Sequence, residues 1–288
     1  SVVYPEKQLR LMKKKVEKPK VGTIIMEADE ISNDPTYRFE EVQGGEVFMF
    51  REVNREHEYM LAVDPSEGSE GKWLLKKEKG DNAALVVLDR HTEEVVAGVV
   101  GRWNPTQMAR TAMALGYYYN VAMIGPEVTG GYGLIIIKFL KDNGYPGIYS
   151  RRVFDHMTKS HTLSLGWETT SKSRPKLFED AKEGIRQDRV KIYWDTLLDE
   201  MLNMENRVSS SGHVKPQAKP GSKDDIAMAF NIVWQMHVET EEPVQEEATE
   251  VTSLNPDDPM YHEWLRIFGG EYDTVNTKDD YDGSDFIA

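Results

Sequence analysis

The chain has 288 residues, no cysteine and a formal net charge of −14. The absence of cysteine excludes disulfides, thiolate metal sites and cysteine nucleophiles, and it fits a reducing cytoplasm. No apolar run approaches the roughly 18 residues of a membrane span, and the charged N-terminus lacks the apolar core of a signal peptide.

The charge is unevenly distributed. Residues 239–288 carry 15 acidic and 2 basic side chains, leaving 34 acidic and 33 basic in residues 1–238. The first twenty residues hold 7 basic and 2 acidic groups. The chain therefore reads as a basic arm or interdomain linker remnant over 1–44, a near-neutral domain over 45–238, and an acidic, mostly disordered tail over 239–288. Within the tail, the aromatic stretch 259–270 suits a short binding helix.

In chain order, residues 1–22 read as a flexible or phosphate-contacting arm. The apolar runs Glu46–Phe50 and Tyr59–Val63 flank a charged loop and predict a hairpin or two neighbouring strands. Residues 82–88 and 93–100, joined by the polar turn Asp89–Thr92, predict a second hairpin, so that Tyr59–Val100 makes a three-stranded meander. Asn104-Pro105 predicts a helix start, with Met108, Ala112, Leu115 and Tyr119 at helical spacing. A fourth strand follows at Val121–Gly125, then a helix over Leu134–Leu140 and a short strand near Ile148-Tyr149. Residues 151–173 predict a loop or β-excursion. Arg174-Pro175 opens a helix to about Gln187, Val190–Trp194 is a short strand, and Asp195–Asn206 is a helix. Val208–Gly221, rich in Ser, Gly and Pro, predicts a mobile loop. Lys223-Asp224-Asp225 heads an apolar helix over 226–236 suited to packing on a sheet.

Three acidic positions fall at equivalent places in this order. Asp64 ends the first strand of the meander, Glu127 follows the fourth strand, and Asp224-Asp225 opens the last helix. If the first and fourth strands are adjacent, Asp64 and Glu127 share one sheet end and the helix N-terminus brings Asp225 beside them. Carboxylates so crowded repel one another, and hard divalent cations relieve the repulsion. Two Mg²⁺ or Mn²⁺ ions about 4 Å apart suit phosphodiester hydrolysis. Asp64 would bridge the pair, Glu127 and Asp225 would each complete one ion, and Asp224 or Asp81 would assist. Each residue also has a plainer role open to it: a strand-end turn for Asp64, a loop for Glu127, a Gly-Asp turn for Asp81, a helix cap for Asp224 or Asp225. Trp167, Arg151, Arg152, Lys172, Arg174 and Lys176 make a basic-aromatic region suited to DNA backbone contact, or a solvated surface with one anchoring tryptophan. Lys223 either approaches a scissile phosphate or is a solvated loop lysine. Gly130-Gly131 and Gly133 allow a tight turn beside Glu127.

These pieces resemble a known family. Leu61-Ala62-Val63-Asp64-Pro65, Gly80-Asp81, Tyr119–Glu127, Gly144-Tyr145-Pro146, Gly166-Trp167 with Arg174-Pro175, and Asp224-Asp225-Ile226-Ala227 are similar in order and spacing to the nuclease domain of the large terminase subunit of tailed bacteriophages. The resemblance covers about residues 45–237. It implies an α/β, RNase H-like mixed sheet flanked by helices. It also implies cleavage of double-stranded, concatemeric viral DNA during packaging, with Asp64, Glu127 and Asp225 as metal ligands. The capsid portal and small terminase subunit are implied partners, in the host cell cytoplasm. Lys223 departs from the pattern, where a histidine or glycine often precedes the paired aspartates. The packaging motor needs a GxxxxGK[ST] phosphate loop, and no such stretch occurs.

Other readings use the same residues differently. A recombinase or Holliday-junction nuclease would keep the fold. An actin-like ATPase needs a duplicated fold, of which one half is visible. A virion docking module would use the carboxylates for structural Ca²⁺ and cleave nothing. The scattered histidines and the missing GxSxG elbow argue against a zinc site and a serine hydrolase.

Overall fold

The structure, a computed structural model, describes residues 2–28, 35–66, 82–155, 159–208 and 214–241, all within one compact unit spanning Ser1–Glu242. After α1 (Glu6–Lys13), the chain builds β1 (Lys20–Ala28), β2 (Pro35–Glu41), β3 (Val47–Met49), β4 (Tyr59–Asp64), β5 (Ala83–Asp89) and β6 (Glu94–Gly101). Helix α2 (Pro105–Tyr118) leads to β7 (Met123–Pro126), and α3 (Tyr132–Asp142) leads to a hairpin of β8 (Ser150–Asp155) and β9 (Ser160–Leu165). Helices α4 (Ser173–Arg186) and α5 (Asp195–Leu202), the strands β10 (Met204–Val208) and β11 (Val214–Ala218), and α6 (Asp225–Glu241) complete it.

Seven strands form one mixed sheet in the order β2-β1-β3-β6-β5-β4-β7. The expected meander is present as β4, β5 and β6, all antiparallel, and β7 lies parallel to β4 as the adjacency of first and fourth strands required. A parallel neighbour needs a crossover, and α2 supplies it. Its start is fixed by a capping box, in which the Asn104 side chain accepts from the Gln107 N–H and Gln107 returns the bond, with Pro105 in the first turn.

Strand periodicity divides the core. Met60 and Ala62 point to one face, where they join Ala84, Val86, Phe230 and Val233 under α4, α5 and α6. Leu61 and Val63 point to the other, with Leu85, Val87, Met108 and Leu115 under α2 and α3. Both faces of β4 and β5 are covered, which is why these strands read as continuous apolar runs.

Several elements differ from the sequence expectations. Strand β3 pairs with β1 and β6, not with β4: β6 and β5 lie between it and β4, and residues 20–41 add β1 and β2 on its other side. The leader is packed: Val3, Tyr4, Leu9 and Met12 are buried in the core with α4, α5 and α6, and Tyr4 exchanges hydrogen bonds with Asn231. Its charged residues occupy the exposed side of a helix whose other side is apolar. The helix expected to reach Asn206 stops at Leu202, and residues 204–208 pair with 214–218 where a loop was expected. Expected strand 190–194 contributes a single bridge, Lys191 to Glu94. Asp81, residues 209–213 and the tail beyond residue 241 lie outside the described residues. Among those described, no helix is long and apolar enough to cross a membrane.

Candidate metal centre

Asp64 is the last residue of β4 and has the same parity as Met60 and Ala62, so its side chain leaves the sheet on the α6 face. Glu127 follows β7. Val63 pairs with Pro126 in parallel register, and the Glu127 N–H donates to the Val63 carbonyl at 2.8 Å, which sets Glu127 beside Asp64. Gly125, two residues earlier, faces Met236 of α6, so Glu127 shares that face. Helix α6 crosses it with Ile226, Phe230 and Val233 buried, and its first residue is Asp225. Two strand ends and one helix start thus deliver carboxylates to one place.

The electrostatics report the convergence. Burial, then the charges of Glu127, Asp225 and Asp224, push the Asp64 carboxyl well above the usual carboxylate range, with Arg174 opposing. Asp225 keeps 17% side-chain exposure and has the Lys223 ammonium 3.8 Å from Oδ2. All the donors are oxygens, the chemistry of Mg²⁺, Mn²⁺ and Ca²⁺ sites. Among the described residues, no group of three or more Asp, Glu or His side chains is gathered tightly enough to hold an ion. The donor set fits a hard divalent cation in its chemistry, while the side chains stand apart.

Glu127 is held from its other side by Trp167. The Trp167 N–H donates to the Pro126 carbonyl and the Val128 N–H to the Trp167 carbonyl, each at 2.8 Å. This corrects the expectation for Trp167: its ring is 1% exposed, inside the α4–α6 core, so no base can stack on it. It is an anchor for the Glu127 strand. Arg151 lies over that ring at 4.3 Å. Arg174 donates to the Pro216 carbonyl at 3.1 Å, which ties α4 to β11 at the mouth of the carboxylate site. Arg152 and Lys172 are exposed, and Lys176 pairs with Asp180 at 2.8 Å on the surface of α4.

One carboxylate was missed. Glu200 of α5 is 8% exposed, and its Oε2 accepts from the N–H groups of Ile226 at 2.8 Å and Ala227 at 2.9 Å. A signal existed: Glu200 falls three residues after Leu197 and next to Met201, on the buried stripe of its helix. Burial, with Asp225 and Asp224 nearby, pushes its carboxyl from 4.5 up to about 7.

A carboxyl raised on folding stabilises the folded state in its protonated form. That contribution is complete below about pH 4.5 and is lost as pH rises through about 7. Its size is on the order of 3 kcal/mol, at 1.36 kcal/mol per unit. Asp64 acts in the same direction. In chelator, the urea midpoint should fall between about pH 5.5 and pH 8, and Glu200→Gln should flatten the fall. A midpoint rising across that window would contradict the assignment.

No protein-family model matches the chain, and no curated protein matches it. Solved structures do. The large terminase nuclease from thermophilic phage G20c, crystallised with bound magnesium, matches with a TM-score of 0.54 at 15% identity, over 81% of this chain and 96% of that one. The same nuclease with bound cobalt gives the same values. A further crystal structure of it matches at 0.50 and 17% identity, over 66% and 88%. The fold is therefore RNase H-like mixed α/β. Within that class it has the form of phage large-terminase nuclease domains, the family its motifs resemble.

Proposed function

We propose that this chain is a divalent-metal-dependent DNA endonuclease that cleaves concatemeric viral DNA during genome packaging. The observation that carries the reading is the delivery of Asp64, Glu127 and Asp225 to one face of one sheet end, on a fold shared with terminase nucleases. The G20c nuclease was crystallised with magnesium and with cobalt, which supports a divalent ion here.

Asp64, central to the set, would hold Mg²⁺ or Mn²⁺ ions together with Glu127 and Asp225. Asp224 would assist, and Asp81 would be an auxiliary ligand on sequence grounds. Bound ions of this kind lower the pKa of a water for attack at phosphorus and stabilise the leaving oxygen. Arg174 and Lys223, both beside the carboxylates, position the scissile phosphate, while exposed Arg152 and Lys172 with Lys176 steer the duplex backbone. The capsid portal and the small terminase subunit are the protein partners, with the acidic segment 239–288 as a docking element. These 288 residues hold no GxxxxGK[ST] loop for an ATP-driven motor, and the place of action is the host cytoplasm.

The test is plasmid nicking by the whole chain with Mg²⁺, Mn²⁺, Ca²⁺ or chelator. Cleavage should appear with Mg²⁺ or Mn²⁺, vanish in chelator, and vanish in Asp225→Ala. Thermal stabilisation by Ca²⁺ without cleavage under any metal would overturn the reading in favour of a structural metal site.

A further inference from the structure

The Asp224 carbonyl accepts the Met228 N–H at 2.8 Å, the first bond of α6, so Asp224 is its N-cap residue. Ile226 and Ala227 then occupy the second and third helical positions. An aspartate at the N-cap ordinarily turns its carboxylate back onto those two N–H groups. Here both are taken by Glu200, whose Oε2 lies 2.8 and 2.9 Å away. Capping alone does not explain Glu200, since the chain already places a good capping residue at that position. Burying a glutamate costs free energy, and Leu197, Leu198 and Met201 of the same helix are packed to hold it there.

We propose that Glu200 is a positioning residue: it caps α6 in place of Asp224, and so leaves the Asp224 carboxylate free to serve the metal centre with Asp225. The inference rests on the metal-centre reading above. It explains how paired aspartates at a helix start escape their usual capping role. Helix α5 thereby becomes part of the site without touching substrate. Partners behind metal ligands of this kind change metal affinity by about 10- to 100-fold when removed.

The experiment uses the whole chain as wild type, Glu200→Met, Glu200→Gln, Asp224→Ala and the Glu200→Met/Asp224→Ala double variant. Mn²⁺ binding is read by electron paramagnetic resonance, alongside plasmid nicking and thermal unfolding in chelator. Glu200→Met fills the volume but offers no oxygen, so Asp224 falls back to cap α6. It should fold and lose about 10-fold or more in Mn²⁺ affinity. Glu200→Gln keeps an oxygen acceptor and should stay near wild type. In the Asp224→Ala background, Glu200→Met should cost no further affinity, because no carboxylate is left to free.

Three results would overturn the proposal. Glu200→Met may unfold, which shows that Asp224 does not take over the cap. It may fold and bind Mn²⁺ as wild type does, which shows a cap with no bearing on the metal. Or the two losses may multiply in the double variant. Each of these occurs with an active wild type, whereas a wild type that neither binds Mn²⁺ nor nicks DNA overturns the nuclease reading and this inference together.

Discussion

Asp64→Asn is expected to lower Mg²⁺-dependent cleavage by about three orders of magnitude or more, equivalent to ~4 kcal/mol of transition-state stabilisation. The substitution removes charge with almost no change of volume. Asp64 sits at the centre of the set, where the charges of Glu127, Asp225 and Asp224 all reach it. The same repulsion fixes the sign of the stability effect. In chelator, burial and the charges of its neighbours disfavour an ionised Asp64, so the asparagine variant should unfold at an equal or higher temperature than wild type. Loss of activity with retained or increased stability separates a metal ligand from a structural aspartate, whose removal leaves donors unpaired and costs stability. Wild-type cleavage by Asp64→Asn would sink the assignment.

The parts of this site that were legible in the sequence are those fixed by local pattern. An apolar run ending in Asp64-Pro65 gives a strand and its end, and the same holds for the run before Glu127. The alternation of Met60, Ala62 and Asp64 against Leu61 and Val63 assigns the face once the strand is placed. The helix of α6 announces itself by its length of apolar residues behind paired aspartates. What remained hidden depends on contacts distant in sequence. Glu200 meets Ile226 and Ala227 across 26 and 27 residues, and no spacing rule connects them. Tyr4 finds Asn231 across 227 residues, so a leader that looks like a basic arm becomes a wall of the core. In the sequence, Trp167 stands between DNA contact and an anchoring role for a related reason. Its neighbours Arg151, Arg152 and Arg174 suggested a DNA-facing surface, but the ring turns inward while its backbone pins Glu127. The β10–β11 pair was disguised by Ser, Gly and Pro around it, since a two-stranded hairpin needs few apolar residues when one face stays wet.

Gly133→Ala is expected to damage the site without touching any charged group. Gly133 stands in the first turn of α3, and a Cβ there would come within 2.0 Å of the Glu127 carbonyl oxygen and 2.7 Å of its carbon. The obstacle is backbone, so the strand end must move. It has little freedom to do so. The Glu127 N–H is bonded to Val63, and Pro126 and Val128 are bonded to Trp167. The substitution should therefore cost ~3 kcal/mol of stability by overpacking. It should also displace the Glu127 carboxylate, and misplacement of a reacting group by about 1 Å costs on the order of 100-fold in rate. Gly130→Ala is the control, because its nearest neighbour is the Tyr132 ring at 3.7 Å, and it should change neither property. Urea denaturation and Mg²⁺-dependent nicking of the two variants read both effects. If Gly133→Ala is destabilised yet nicks at the wild-type rate, the position of Glu127 is irrelevant to the reaction and its place among the metal ligands is lost. If stability and nicking fall together while Gly130→Ala is unchanged, the close packing of α3 against the β7 strand end is what aims Glu127 at Asp64.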